Sequence, residues 1–218
     1  MTTVIFLTSG EIDYSFEGVS LYDSIVATSL GIKFPSLKEG QERKIRSKVE
    51  KLKLEREKVT ILSAQSKQAD GTGRIISKLL GVPLEEDIRL NPILFDFREI
   101  MDEKEFISLG DKAFDVARPR FLKVFFENQL METRLSVKAR VDSFLKDYLE
   151  SNKTVLAISH SFLMMILKAY LTGGDKVFVD YDLLYKLCQP EKRPFHFLSG
   201  FKVEISQSLK IKSIIMLE

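Results

Sequence analysis

The stretch TVLAISHSFLMMILKAYL, residues 154–171, decides how the rest of the chain is read. Its opening residues, up to Ser159, form a short apolar run that predicts a buried strand. Phe162, Met165, Ile166, Ala169 and Tyr170 then recur at helical spacing until Gly173 and Gly174 stop the run. Ser159, His160 and Ser161 lie between the two. Open α/β sheets bind their ligands at the carboxyl ends of strands, where a helix begins. First-turn N–H groups and the helix dipole favour an anion at such a point. Two readings stand side by side: Ser161 caps the helix beside a hydrogen-bonded loop histidine, or His160 belongs to a pocket.

Working outward, the same strand-then-polar-loop pattern occurs twice more. Residues 3–7 read as a strand ending in Thr8-Ser9-Gly10, and residues 59–62 as a strand ending in Ser63-Ala64-Gln65-Ser66. Helices are predicted over 19–30 and over a charged segment, 40–57, with Ile45, Val49 and Leu52 as its apolar stripe. A further helix over 70–80 turns Ile75, Ile76, Leu79 and Leu80 inward and stops at Gly81. Pro83 and Pro92 bracket an irregular connection. Helices follow over 114–126 and 130–150, the second with Leu135, Val141, Phe144, Leu145, Tyr148 and Leu149 on one face. Residues 175–194 are mixed, and strands over 200–205 and 209–216 form a hairpin around 206–208. Strands alternating with helices predict a three-layer α/β/α fold with a mostly parallel sheet and one antiparallel element. No linker divides the chain, so residues 1–218 are read as one domain.

A net charge of +2, with Lys and Arg interleaved among Glu, gives no surface for nucleic acid or for a membrane. No apolar run reaches membrane-spanning length, and MTTVIFL is too short and uncharged for a signal peptide. A cytoplasmic protein is the expectation. The single cysteine, Cys188, forms no internal disulfide, and no His, Asp or Glu cluster has metal-ligand spacing. Neither a metal nor a cofactor is expected.

In order along the chain, VIFLTSGEIDY, SLKEGQERKIRSKVEKL, ILSAQSKQADGTGRIISKLLG, METRLSVKARVDSFLKDYL and TVLAISHSFLMMILKAYL resemble blocks of the histidine phosphatase superfamily, with its phosphoglycerate-mutase-like fold. Gly10, Glu11, Ser63, Ala69, Thr72, Glu132, Arg140, Val141 and His160 match the family pattern. The resemblance implies a phosphate pocket of two histidines and two arginines with an acidic proton donor. Here the first histidine, the nucleophile, is replaced by Ser9. The arginine before it is replaced by Thr8 and the second arginine by Gln68. Pro92 falls where the acid is expected, with Glu85, Glu86 and Asp96 nearby. Only His160 remains.

The chemistry suffers accordingly. Imidazole attacks phosphorus and leaves readily, whereas a serine hydroxyl needs a base to take its proton. Guanidiniums fork onto phosphoryl oxygens and stabilise developing charge, which Thr8 and Gln68 cannot do. Ser9 is then a turn residue, and Thr8, Ser9, Gly10, Gln68 and His160 are a remnant pocket. His196 matches no family position and is expected to be partly buried before a strand, with a turn into the cleft as the other reading. The resulting expectation is a catalytically inactive relative that binds a small anionic ligand or a protein partner. The alternative is a hydrolase of phosphate or other esters with a rebuilt site, Ser9 as nucleophile and His160 as base. A homodimer built on Phe125 and Phe126 is a further option, against their packing in the core.

Overall fold

The computed structural model describes residues 2–149, 153–192, 195–206 and 211–218. In chain order its elements are β1 (Thr2–Thr8), β2 (Ile12–Asp13), α1 (Leu21–Ser29), β3 (Ser36–Leu37), α2 (Gln41–Leu52), β4 (Val59–Ser63), α3 (Lys67–Leu80), β5 (Leu84–Glu86), α4 (Glu103–Leu109), α5 (Ala113–Phe126), α6 (Arg134–Leu149), β6 (Thr154–Ser159), α7 (Ser161–Gly173), α8 (Tyr181–Cys188), β7 (Gly200–Ile205) and β8 (Ile211–Leu217). Across the main sheet the order is β5-β4-β6-β1-β7-β8. The pairs β5/β4, β4/β6 and β6/β1 are parallel, and β7 alone runs against both its neighbours. Flanking helices complete a three-layer α/β/α domain. Among the described residues, no helix is long and apolar enough to cross a membrane.

The central strands are apolar along their length because both faces are covered. Val4 to Leu7 of β1 and Val155 to Ile158 of β6 are buried. Their register pairs Thr8 with Ser159, so the two strands end side by side. β4 ends next to them, with Ser63 opposite Ile158. Three carboxyl ends therefore open at one point, and the segments after them carry Ser9, Ser66 and His160.

On its other side β1 meets β7 so closely that Gly200 is obligatory. A Cβ there would lie 1.8 Å from the Phe6 carbonyl oxygen. Phe6 and Phe201 pack across this pair with ring centroids 5.0 Å apart.

Several predicted boundaries shift for local reasons. α2 stops at Leu52, short of 57, because Lys53 takes a left-handed conformation and turns the chain away. α3 begins at Lys67, with Ser66 extended at the N-cap position. β5, α4 and α8 occupy segments too short to show a periodic pattern. α8 is started by Asp180, whose carboxylate accepts from the Leu183 N–H at 3.0 Å. On α6 the inward face is Val137, Val141, Phe144 and Leu145, while Leu135, expected inside, is exposed. Phe125, considered for an interface, is fully buried. β7 and β8 pair as the expected antiparallel hairpin, and residues 207–208 of its turn lie outside the described residues.

Candidate functional site

His160 follows the last residue of β6 and occupies the N-cap position of α7, with extended backbone and its carbonyl accepting from Met164 N–H at 2.9 Å. Ser161 is the first helical residue and does not cap the helix, which corrects one of the two readings of this stretch. The imidazole Nε2 lies 2.9 Å from the Ser66 hydroxyl. Burial pushes the ring's pKa down to about 4, with the positive charge of Arg140 adding to the effect. At neutral pH His160 is therefore an uncharged imidazole.

Around it lies a cavity of about 240 Å³. Thr8, Ser9, Gln68, Ser159 and His160 contribute its polar side, and Tyr14, Phe34, Phe95, Phe162 and Phe197 much of its apolar wall. Four of the five expected pocket residues thus share one space. Gly10 does not line it; its N–H donates to the Thr72 hydroxyl at 3.0 Å. The Thr8 hydroxyl donates to the carbonyls of His196 and of Ser199, the latter at 3.1 Å. Ser9 anchors the same segment through its carbonyl, which accepts from Leu198 N–H at 3.1 Å. Its hydroxyl makes no hydrogen bond with any described residue. The serine paired with His160 is Ser66, which is buried and does not line the cavity. The Ser9–His160 hydrogen bond that a nucleophile–base pair would use is not formed. Gln68 is buried, and its Oε1 has no hydrogen-bond partner among the described residues.

Pro92 does line the cavity, but no aspartate or glutamate does among the described residues. Of the acids near it in sequence, Asp96 is held by Arg98 at 2.7 Å. Nor do the described residues contain a group of three His, Cys, Asp or Glu able to hold a metal.

Of two further lining residues, the sequence reading gave one only as its lesser alternative and missed the other. His196, expected before a strand, contributes to the wall and is exposed. Arg118 of α5 also lines the cavity, so the site is not devoid of basic side chains, contrary to expectation. It is nearly buried, at 8% exposure; Nε donates to the Pro190 carbonyl at 2.7 Å and Nη2 to the Asp115 carboxylate. A signal for it existed in the sequence. Position 118 shares a helical face with Ala117, Phe121, Leu122 and Phe125, and an arginine on an apolar face needs partners inside.

A second arginine acts from behind. Arg140 pairs through Nε and Nη2 with Glu132 at 2.7 and 2.9 Å. Its Nη1 donates to the carbonyls of Arg89 and Asn91, at 2.6 and 2.9 Å. Ser159 donates to the adjacent Leu90 carbonyl at 2.7 Å. The loop before Pro92 is thereby tied both to α6 and to the end of β6. Arg140 is consumed by these bonds and does not line the cavity.

A parallel sheet whose strand ends converge on an N-cap imidazole defines the class as an α/β domain of the phosphoglycerate-mutase-like type. A family model, the histidine phosphatase superfamily (branch 1), matches residues 35–182, and the chain belongs to that superfamily. No curated protein matches the sequence. Solved structures are similar over nearly the whole length at low identity. Bacillus stearothermophilus YhfR matches with a TM-score of 0.63 and 16% identity, covering 100% of this chain and 96% of its own. The alpha-ribazole phosphatase from Shigella flexneri gives 0.60 and 14%, covering 98% and 95%. A mycobacterial glucosyl-3-phosphoglycerate phosphatase gives 0.59 and 14%, covering 98% and 96%. At such identities these likenesses speak to the fold.

Proposed function

We propose that this protein is a catalytically silent histidine phosphatase that keeps its pocket for binding a small molecule. One observation carries the reading: the cavity at the strand ends has Ser9 and Thr8 at the positions that would hold the nucleophile and its arginine, and among the described residues no carboxylate lines it to serve as acid. A neutral imidazole with a buried serine at Nε2 can accept or donate a proton, yet Ser9 has no base in hydrogen-bond contact to activate it. Thr8 spends its hydroxyl on backbone carbonyls, and Gln68 brings no charge. Losing a single electrostatic stabiliser costs on the order of a hundredfold in rate, and here nucleophile, clamps and acid are replaced together. A cytoplasmic setting goes with this reading, supported by the lone, buried cysteine.

The test is turnover of a panel of phosphate monoesters by the purified chain, with His160→Ala as control. No release of phosphate above the His160→Ala background is expected. Turnover without added metal that disappears in the variant refutes the proposal.

A further inference from the structure

We infer that the cavity's ligand is a small monocarboxylate with an aromatic body, its carboxylate held by Arg118. The inference rests on the proposed silent pocket and names the chemistry that pocket takes. Among the described lining residues Arg118 is the one lysine or arginine, and it is nearly buried. Two parts of its guanidinium are engaged, Nε by the Pro190 carbonyl and Nη2 by Asp115. Nη1 has no hydrogen-bond partner among the described residues. A planar fork with free N–H donors matches a carboxylate.

The charge balance favours a monoanion over a phosphate dianion. Asp115 already offsets part of the guanidinium's charge, and the imidazole of His160 adds none at neutral pH. Less than one positive charge is then left to face a guest, which suits one negative charge better than two. A second observation points to a ligand at the same place. Gln68 is buried, lines the cavity, and its amide oxygen has no partner among the described residues, so an N–H or O–H donor from outside the chain would complete it, a bond the carboxylate itself does not make.

Shape and lining fix the rest of the molecule. A cavity of about 150 Å³ admits benzene; about 240 Å³ leaves room for a ring, a short chain and a head group. Phe34, Phe95 and Phe162 offer ring faces and edges, which reward an aromatic guest beyond its buried area.

Calorimetric titration of the full chain compares 3-phenylpropionate, 3-phenylpropan-1-ol, propionate and phenyl phosphate. The aromatic acid is expected to bind about tenfold or more tighter than the alcohol, as a charged hydrogen bond implies, and tighter than propionate and the phosphate ester. In Arg118→Gln, with its fold verified by circular dichroism, the acid loses about that factor while the alcohol is unaffected. Equal binding of acid and alcohol, no binding of the acid, equal binding of propionate, or preference for the phosphate ester overturns the inference. These comparisons use the natural protein alone, so an Arg118→Gln chain that does not fold leaves the test intact. Release of phenol from phenyl phosphate would instead sink the silent-site reading, independently of the carboxylate preference.

Discussion

Replacing His160 by glutamine removes a titration whose effect on stability can be worked out in advance. Burial holds the folded imidazole at about 4, against 6.5 for an ordinary histidine. A depressed folded pKa means the native state refuses a proton that the unfolded chain accepts. The contribution is therefore fully present above pH 6.5 and is lost as pH falls toward 4. At pH 5 the unfolded histidine is almost fully protonated while the folded ring is still about nine-tenths neutral, a loss of about 2 kcal/mol relative to pH 7.5. Below the folded pKa the loss levels off at about 3 kcal/mol. Urea unfolding of the natural protein and of His160→Gln, at half-unit steps from pH 7.5 to 4.5, reads this directly. Other titrating groups act in both proteins and cancel in the difference. The gap between the two should narrow or reverse in favour of the variant by about 2 kcal/mol at pH 5. A difference that stays flat over this range, or an NMR titration that puts the imidazole near its ordinary value, refutes the argument that the half-buried ring is uncharged.

Three other substitutions or treatments probe the frame around the site. In Gly200→Ala the new methyl group must displace the Phe6 carbonyl, 1.8 Å from its position, so β1 and β7 separate and stability falls by about 3 kcal/mol or more in denaturant titration; a loss under 1 kcal/mol by the same measurement contradicts the register given for this pair. Arg140→Met strands Glu132 and two carbonyls, costing about 3 kcal/mol. It also raises the His160 pKa by taking away a nearby positive charge, seen as a shifted ring-proton titration; an unmoved titration would count against the coupling. Burial pushes the Cys188 thiol up to about 12, so native protein should resist Ellman's reagent at pH 8 and react only once unfolded. Fast labelling of the native state would show that the thiol is open to solvent.

Much of the fold was legible because its strands and long helices obey simple periods. The apolar run 155–158 and its neighbour 4–7 are continuous because helices cover both faces, while the register that sets Thr8 beside Ser159 is visible only in the structure. The three polar strand ends likewise announced where the site would be. What remained hidden is what the chain brings there from a distance. Arg118 reaches the cavity from a helix read as ordinary core, and its partner carbonyl belongs to Pro190, far along the chain. His196 reaches it through a segment that β1 itself clasps. Ser66, next to the recognised polar cluster, becomes the imidazole's partner because α3 starts three residues sooner than its apolar stripe suggests. Leu135, expected inside, is exposed while Val137 is buried, because two apolar residues two positions apart allow two choices of helix face and only packing selects between them.

The clasp at Thr8 limits what position 8 can hold. The carbonyls of His196 and Ser199 sit within reach of a hydroxyl one bond beyond Cβ, where the methylenes of a longer side chain would lie. An arginine at position 8 would bury those carbonyls against hydrocarbon and prise outward the segment that walls the cavity. Position 8 is thus held to a short side chain, because the same threonine that lines the cavity also fastens the segment that forms its wall.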